Sequence, residues 1–344
     1  MIVWISFILL IILCLALDLG VFNKEDHVIG TKEAAKWTSV WVGLALAFSG
    51  VVYWLFQEEN VGLWANPTGL SPGEAWITYL TGYIFELSLS IDNVFVIAVI
   101  FSSFKIPAKY QHRVLFWGIL GAVVFRALMI VFGVALINRF DWMIYIFGAF
   151  LLFTAFKMIK GDSETDPHDT WYYKLLVKVF PITQERNGHD FFIVKNGKRY
   201  ATSLFTALVV IEFTDIMFAL DSIPAILAIT QDEFIVFTSN ILAILGLRSM
   251  FFLIVGMLEK FRFIHYSLAI ILGFVGLKML ALEYIHIPIY ISLAVIAVAL
   301  TAGILASIWI KPTKGDGQDL KEYADELEES FKQLDDQEER EGKN

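Results

Sequence analysis

Nine apolar stretches separated by short charged gaps organise the chain, over about residues 1–17, 37–56, 76–101, 112–137, 142–159, 203–229, 234–258, 264–282 and 286–310. About twenty helical residues at ~1.5 Å rise cover ~30 Å of hydrocarbon, so the pattern predicts an all-α polytopic membrane protein with about nine transmembrane helices. The first stretch has neither a basic start nor a small-residue cleavage site, and its first lysine is Lys24. It reads as a retained helix rather than a signal peptide.

Two of these stretches carry the same signature. The third holds Glu86-Leu-Ser-Leu-Ser-Ile-Asp92-Asn93 and the sixth holds Asp215-Ile-Met-Phe-Ala-Leu-Asp221-Ser222. Each is an acid, five residues, an aspartate and a small polar residue. The likeness continues downstream: Gly118-Ile-Leu, Arg126 and Phe153-Thr-Ala-Phe-Lys157-Met in one copy match Asn240-Ile-Leu, Arg248 and Phe274-Val-Gly-Leu-Lys278-Met in the other. A three-helix unit therefore occurs twice, over residues 76–160 and 203–282. Three is odd, so the second copy enters the membrane from the opposite side. Such inverted repeats place a transporter's substrate site at their interface near mid-membrane.

The remaining segments frame the repeats. Residues 1–75 supply two helices and an outer loop, 283–310 a ninth helix, and 161–202 a cytoplasmic connector. In that connector Trp171, Leu175 and Val179, with Tyr172, Leu176 and Phe180, recur at helical spacing beside Lys174 and Lys178, predicting a short helix on the inner leaflet. Asn196-Gly197 within Phe191 to Tyr200 predicts a hairpin, since both residues tolerate the positive φ of a type I′ turn. After Lys311 an acidic tail places Tyr323, Leu327, Phe331 and Leu334 on one helical face, either solvated or bound to a cytoplasmic partner.

Charge fixes orientation. The net charge is −9, but residues 315–344 alone carry −8. Of the 26 lysines and arginines, 22 fall in alternate gaps on one side and only Arg139 on the other. The positive-inside rule then puts the N-terminus outside and the C-terminus in the cytoplasm of a cell membrane.

The candidate chemistry is buried acid. A charge at the bilayer centre costs at least ~2.5 to 3.5 kcal/mol, so Glu86, Asp92, Glu212, Asp215 and Asp221, all near the middle of two spans, need partners or protons. Arg126 and Arg248 are the expected charge partners. They leave the set at −3, or −2 if Lys278 turns inward, a surplus that a divalent cation would neutralise. The donors are oxygens: the carboxylates, Asn93, the Ser88, Ser90 and Ser222 hydroxyls and carbonyls, which suit Mg, Ca or Mn. Met217 reads as core filler, and the six histidines lie in gaps or at span ends, predicting no histidine-rich zinc or copper site. The single cysteine, Cys14, excludes a disulfide framework or thiolate cluster.

Six residues of helix turn through ~600°, which sets Glu86 and Asp92 about 120° apart, and likewise Asp215 and Asp221. Converging on one ion then requires wide spacing or an unwound turn, and Pro224 predicts a discontinuity near Asp221.

The chain resembles the TerC family of integral membrane proteins, close to its Alx-like members. The resemblance rests on Glu86 to Asn93 with Val-Phe following, on Glu212-Phe-Thr-Asp215-Ile-Met-Phe-Ala-Leu-Asp221-Ser-Ile-Pro-Ala, on Asp141-Trp-Met-Ile-Tyr-Ile-Phe-Gly-Ala-Phe, and on Thr238-Ser-Asn-Ile-Leu-Ala-Ile-Leu-Gly-Leu-Arg248. It covers roughly residues 30–305 and leaves out the tail. The family is associated with manganese export and tellurium resistance, among lysine-exporter-like transporters. By that similarity Asp92, Asn93, Asp215 and Asp221 are the metal-binding and translocation residues.

Together these readings predict a transporter that exports a divalent cation, Mn²⁺ first, with no resident cofactor, no enzymatic activity and no nucleic-acid partner. Moving a dication out against ~100 mV costs about 4.6 kcal/mol, so export requires a source of work. The chain carries no Walker motif, which leaves proton exchange through Asp92 or Asp221 as that source. A proton or sodium carrier would use the same acids. A tellurite carrier would need a positive cavity, and an intramembrane aspartyl protease would need a Gly-x-Gly-Asp motif, whereas Asp221 follows Phe-Ala-Leu.

Overall fold

The computed structural model describes residues 2–22 and 30–310, apart from 61, 65, 67, 141, 161–166, 184–189, 196, 256–262, 283 and 286. The expected tail helix after Lys311 lies outside these residues. Each apolar stretch forms helix: α1 (Ile2–Phe22), α2 (Thr31–Leu55), α3 (Pro72–Ser103), α4 (Ala108–Arg139), α5 (Met143–Lys160), α7 (Ser203–Leu227), α8 (Glu233–Leu245), α9 (Leu247–Val255), α10 (Ile264–Leu280) and α11 (Ile289–Trp309). The connector adds α6 (Trp171–Val179) and two strands, β1 (Phe192–Lys195) and β2 (Lys198–Ala201).

The architecture is all-α and polytopic. By length and composition six of the helices can each cross a membrane, and α8 with α9 makes a seventh, bent by 46°. The other two apolar segments, Ile2–Leu17 and α10, are shorter. The bend falls at Gly246, where a Cβ would come within 3.4 Å of the Trp41 side chain on α2. The expected break near Asp221 is absent: α7 continues through Pro224 and ends only at Leu227. Pro224 sits in the last turn, where its missing N–H removes a single bond close to the helix end.

Local signals account for two starts. Ser71 accepts the Glu74 N–H while the Glu74 carboxylate accepts the Ser71 N–H, and Pro72 occupies the first turn of α3. Asp232 caps α8 by accepting the Ile235 N–H, and it also accepts the Thr68 hydroxyl from the segment between α2 and α3. In the connector, β1 and β2 pair antiparallel with Lys195 opposite Lys198, and Gly197 takes φ +75°. The predicted surface helix forms as α6: Leu176 is buried, Tyr172 stacks on Phe213 of α7 at 5.5 Å, and Trp171, Leu175 and Val179 stay exposed.

The packing carries the repeat. Among the helices of the two repeats the main contacts are α5 on α10, α4 on α7 and α3 on α8, with α3 on α7. Exchanging α3 for α7, α4 for α8–α9 and α5 for α10 leaves that set of pairings unchanged, as a two-fold relation requires. Direction agrees. Gly82 of α3 approaches Ile226 of α7, while Asn93 shares a cavity with Asp215, so these two lead helices run in opposite senses.

The α5–α10 crossing depends on glycine. A Cβ on Gly276 would sit 2.9 Å from the Gly148 carbonyl oxygen, whereas one on Gly273 would meet Ala155 at an ordinary 3.8 Å. Gly276→Ala should therefore lower the stability of the detergent-solubilised protein by roughly 1 to 3 kcal/mol, as overpacking does. Gly273→Ala should be tolerated in the same melting experiment, and equal losses would show that the crossing is not set by this contact.

Candidate cation site

Arg126 of α4 is the centre of the buried charge. Its Nη1 donates to Glu86 Oε1 of α3, and its Nη2 and Nε donate to the two oxygens of Asp215 on α7 at 3.0 and 3.4 Å. The same Nη1 lies 3.4 Å from Ser222 Oγ and 3.4 Å from Asn240 Oδ1 of α8. Glu86, Arg126 and Asp215 are 0, 1 and 9% exposed. The fork of the guanidinium suits this role, since it serves two carboxylates in fixed directions.

This cluster is unbalanced and incompletely bonded. Two carboxylates face one guanidinium. Among the described residues Glu86 Oε2, Ser90 Oγ and Asn93 Nδ2 are buried with no hydrogen-bond partner. Next to Asn93 and Asp215 lies a cavity of about 20 Å³ whose walls are otherwise mostly apolar, with Thr214 as the further polar side chain. That volume holds roughly one water or one small ion, given ~10 to 15 Å³ as the minimum for a water.

The second aspartate of each signature goes elsewhere. Asp92 faces His265 at the start of α10, with 3.9 Å between Oδ1 and Nδ1. Asp221 accepts the Thr154 hydroxyl of α5 at 2.8 Å and lies within electrostatic reach of Lys157 and Asp92. This separation follows from helix geometry: α3 and α7 are unbroken, so acids six residues apart must leave on different faces. The candidate residues thus form two neighbouring clusters rather than one shell. Among the described residues no three His, Cys, Asp or Glu side chains gather on a single point.

The other predicted residues divide as follows. Glu212 of α7 fills the space over Gly121 of α4, with Oε2 buried and without a hydrogen-bond partner among the described residues. Arg248 is buried in α9, a helix packed on α2 and α3. Ser88 turns its hydroxyl to the Ile84 carbonyl of its own helix. Met217 is exposed on the outer side of α7 instead of filling the core. Lys278 does reach inward, but to Ser292 of α11 at 3.1 Å.

Three contributors escaped the sequence reading. Asn240 and the Phe-Thr-Ala-Phe-Lys motif that holds Thr154 served there only as landmarks of the repeat. His265 was set aside with the histidines at span ends, because nothing along the chain links it to Asp92.

The Integral membrane protein TerC family matches over residues 71–315. An uncharacterised membrane protein of Myxococcus xanthus is 49% identical over 306 residues, 89% of this chain and 91% of its own. A protein of Escherichia coli named as a candidate membrane-bound redox modulator, Alx, is 43% identical over 309 residues, 89% of this chain and 94% of its own. A membrane protein of Rickettsia bellii is 42% identical over 306 residues, 89% of this chain and 96% of its own. No solved structure matches the chain.

Removing the guanidinium leaves two carboxylates buried without a counter-charge. Arg126→Gln should destabilise the protein by about 3 to 5 kcal/mol in a detergent unfolding assay, and adding Glu86→Gln should recover part of that loss. Arg126→Lys should also fail to restore stability, because one ammonium cannot reach both carboxylates in the guanidinium's geometry.

Proposed function

We propose that this chain, which belongs to the TerC family of integral membrane proteins, exports a divalent cation through the buried acids between its two repeats, and that the cation is Mn²⁺. The observation that carries this reading is the surplus carboxylate at Arg126. Two acids, one guanidinium, an unpartnered Glu86 oxygen and a cavity of about 20 Å³ beside Asp215 form a place where positive charge is stabilised inside the membrane. A site whose polar groups are carboxylates, an amide and hydroxyls, with more acids than cations, favours hard cations over oxyanions. The choice of Mn²⁺ among such cations comes from the family resemblance.

Asp92, Asn93, Asp215 and Asp221 are the residues this reading assigns to the ion, with Glu86 and Glu212 supplying further negative charge. Asp92 and Asp221, on two helices of opposite direction, are the acids assigned to exchange a proton for the metal. Outward movement against the membrane potential costs about 4.6 kcal/mol per dication at ~100 mV, and a proton gradient supplies it. The redox role in the name of the Escherichia coli relative is compatible with this reading only through the ion carried. One cysteine, Cys14, cannot form a disulfide within the chain.

The test is uptake of Mn²⁺ into everted membrane vesicles under an imposed proton gradient. Wild type should accumulate the ion, and Asp92→Asn and Asp221→Asn should each lose most of that flux while remaining folded. Unchanged flux in both variants would refute the assignment of these residues. Proton movement without Mn²⁺ in wild type would make the protein a proton carrier instead.

A further inference from the structure

His265 carries a geometry that neither acidic signature announced. Its Nε2 lies 2.8 Å from the Met158 carbonyl oxygen of α5. A carbonyl only accepts, so Nε2 holds the hydrogen. In the neutral ring, Nδ1 then presents a lone pair, and that atom faces the Asp92 carboxylate at 3.9 Å. The distance is too long for a hydrogen bond. It is short enough for one metal ion, since an ion ~2.1 Å from a nitrogen and ~2.1 Å from an oxygen spans atoms up to ~4.2 Å apart.

The surroundings match those of a ligating imidazole. A histidine that binds a metal donates its other ring N–H to a carbonyl or carboxylate, which fixes the tautomer and aims the free nitrogen. Met158 provides that carbonyl. The side chains of His265 and Asp92 are 41% and 23% exposed, which leaves room beside the two protein ligands for further ligands such as water. Asp221, held by Thr154, adds negative charge within electrostatic reach.

We propose that His265 and Asp92 form a nitrogen–oxygen site for a partly hydrated transition-metal dication, and that this pair makes the pathway prefer Mn²⁺ over Mg²⁺ and Ca²⁺. The inference rests on the reading of the buried acids as a cation path. Oxygen ligands alone do not separate these three ions, whereas imidazole suits transition metals and is a poor ligand for Mg²⁺ and Ca²⁺. With only two protein ligands the site binds loosely, which suits an ion in transit. Its preference lies between chemical classes: Co²⁺ and Ni²⁺, later in the affinity order of divalent metals, should compete with Mn²⁺ more strongly than Mg²⁺ does.

The test is pulsed electron paramagnetic resonance of Mn²⁺ bound to the full chain, purified without a histidine tag. Wild type should show coupling to one directly bound nitrogen. His265→Asp, which keeps an oxygen donor in place, should still bind Mn²⁺ but lose that coupling and become about tenfold more sensitive to competing Mg²⁺, the lower end of what a ligand's supporting contacts contribute. Mn²⁺ bound to wild type without nitrogen coupling would overturn this inference and leave the cation path standing. Unaltered Mg²⁺ competition in a folded His265→Asp variant would do the same. A wild-type protein that binds no Mn²⁺ would overturn both readings. If His265→Asp fails to fold, His265→Gln serves as the second variant, and nitrogen coupling that persists in a folded His265 variant would also overturn the inference.

Discussion

A guanidinium buried among more carboxylates than it can neutralise is the constraint on which the centre of this protein depends. Arg126 reaches Glu86 on α3, Asp215 on α7 and Asn240 on α8 from its own place on α4. Hydrocarbon offers no water to screen such groups, so these helices must close around them or the chain pays several kcal/mol per uncompensated charge. The cluster therefore joins the first repeat to the second. With both acids ionised it also leaves one negative charge over, and that surplus gives a structural knot a reason to interact with cations.

Pseudo-symmetry sets the position of the knot, and its breaking sets the detail. Glu86 and Asp215 are equivalent in the two copies, as are Arg126 and Arg248, yet Arg126 holds both equivalent acids. The fourth helix is continuous from Ala108 to Arg139, while its counterpart is divided into α8 and α9 at Gly246. One sequence pattern thus adopts two shapes in one molecule, with the acids between them. Transporters built from inverted repeats move ions by changing which half is open, and unequal halves are what a single such state requires.

Much of this was legible in the sequence because hydrophobicity and repetition are local signals. The apolar stretches mark every long helix, and the matched Asp, Arg and Lys-Met positions mark the triplets whose packing follows the expected exchange. Glu86 and Asp215 could be paired with an arginine on charge alone. Three features were not legible. The break at Gly246 falls where α9 packs against Trp41 of α2, some two hundred residues earlier in the chain, whereas Pro224, the local signal for a break, falls too near the end of α7 to cause one. The division of the acids into two clusters depends on helices staying regular. His265 meets Asp92 through tertiary packing, with α10 against α3 and the ring held by the Met158 carbonyl of α5, and no local signal in the chain reports it.

The central claim is that uncompensated carboxylate between the repeats binds a dication, and equilibrium dialysis of Mn²⁺ against the purified protein tests it most directly. The account predicts saturable binding of about one or two ions per chain, abolished when Asp92, Asp215 and Asp221 are all replaced by asparagine in a protein that still folds. Equal binding by that neutralised variant, or none by the wild type, would contradict it.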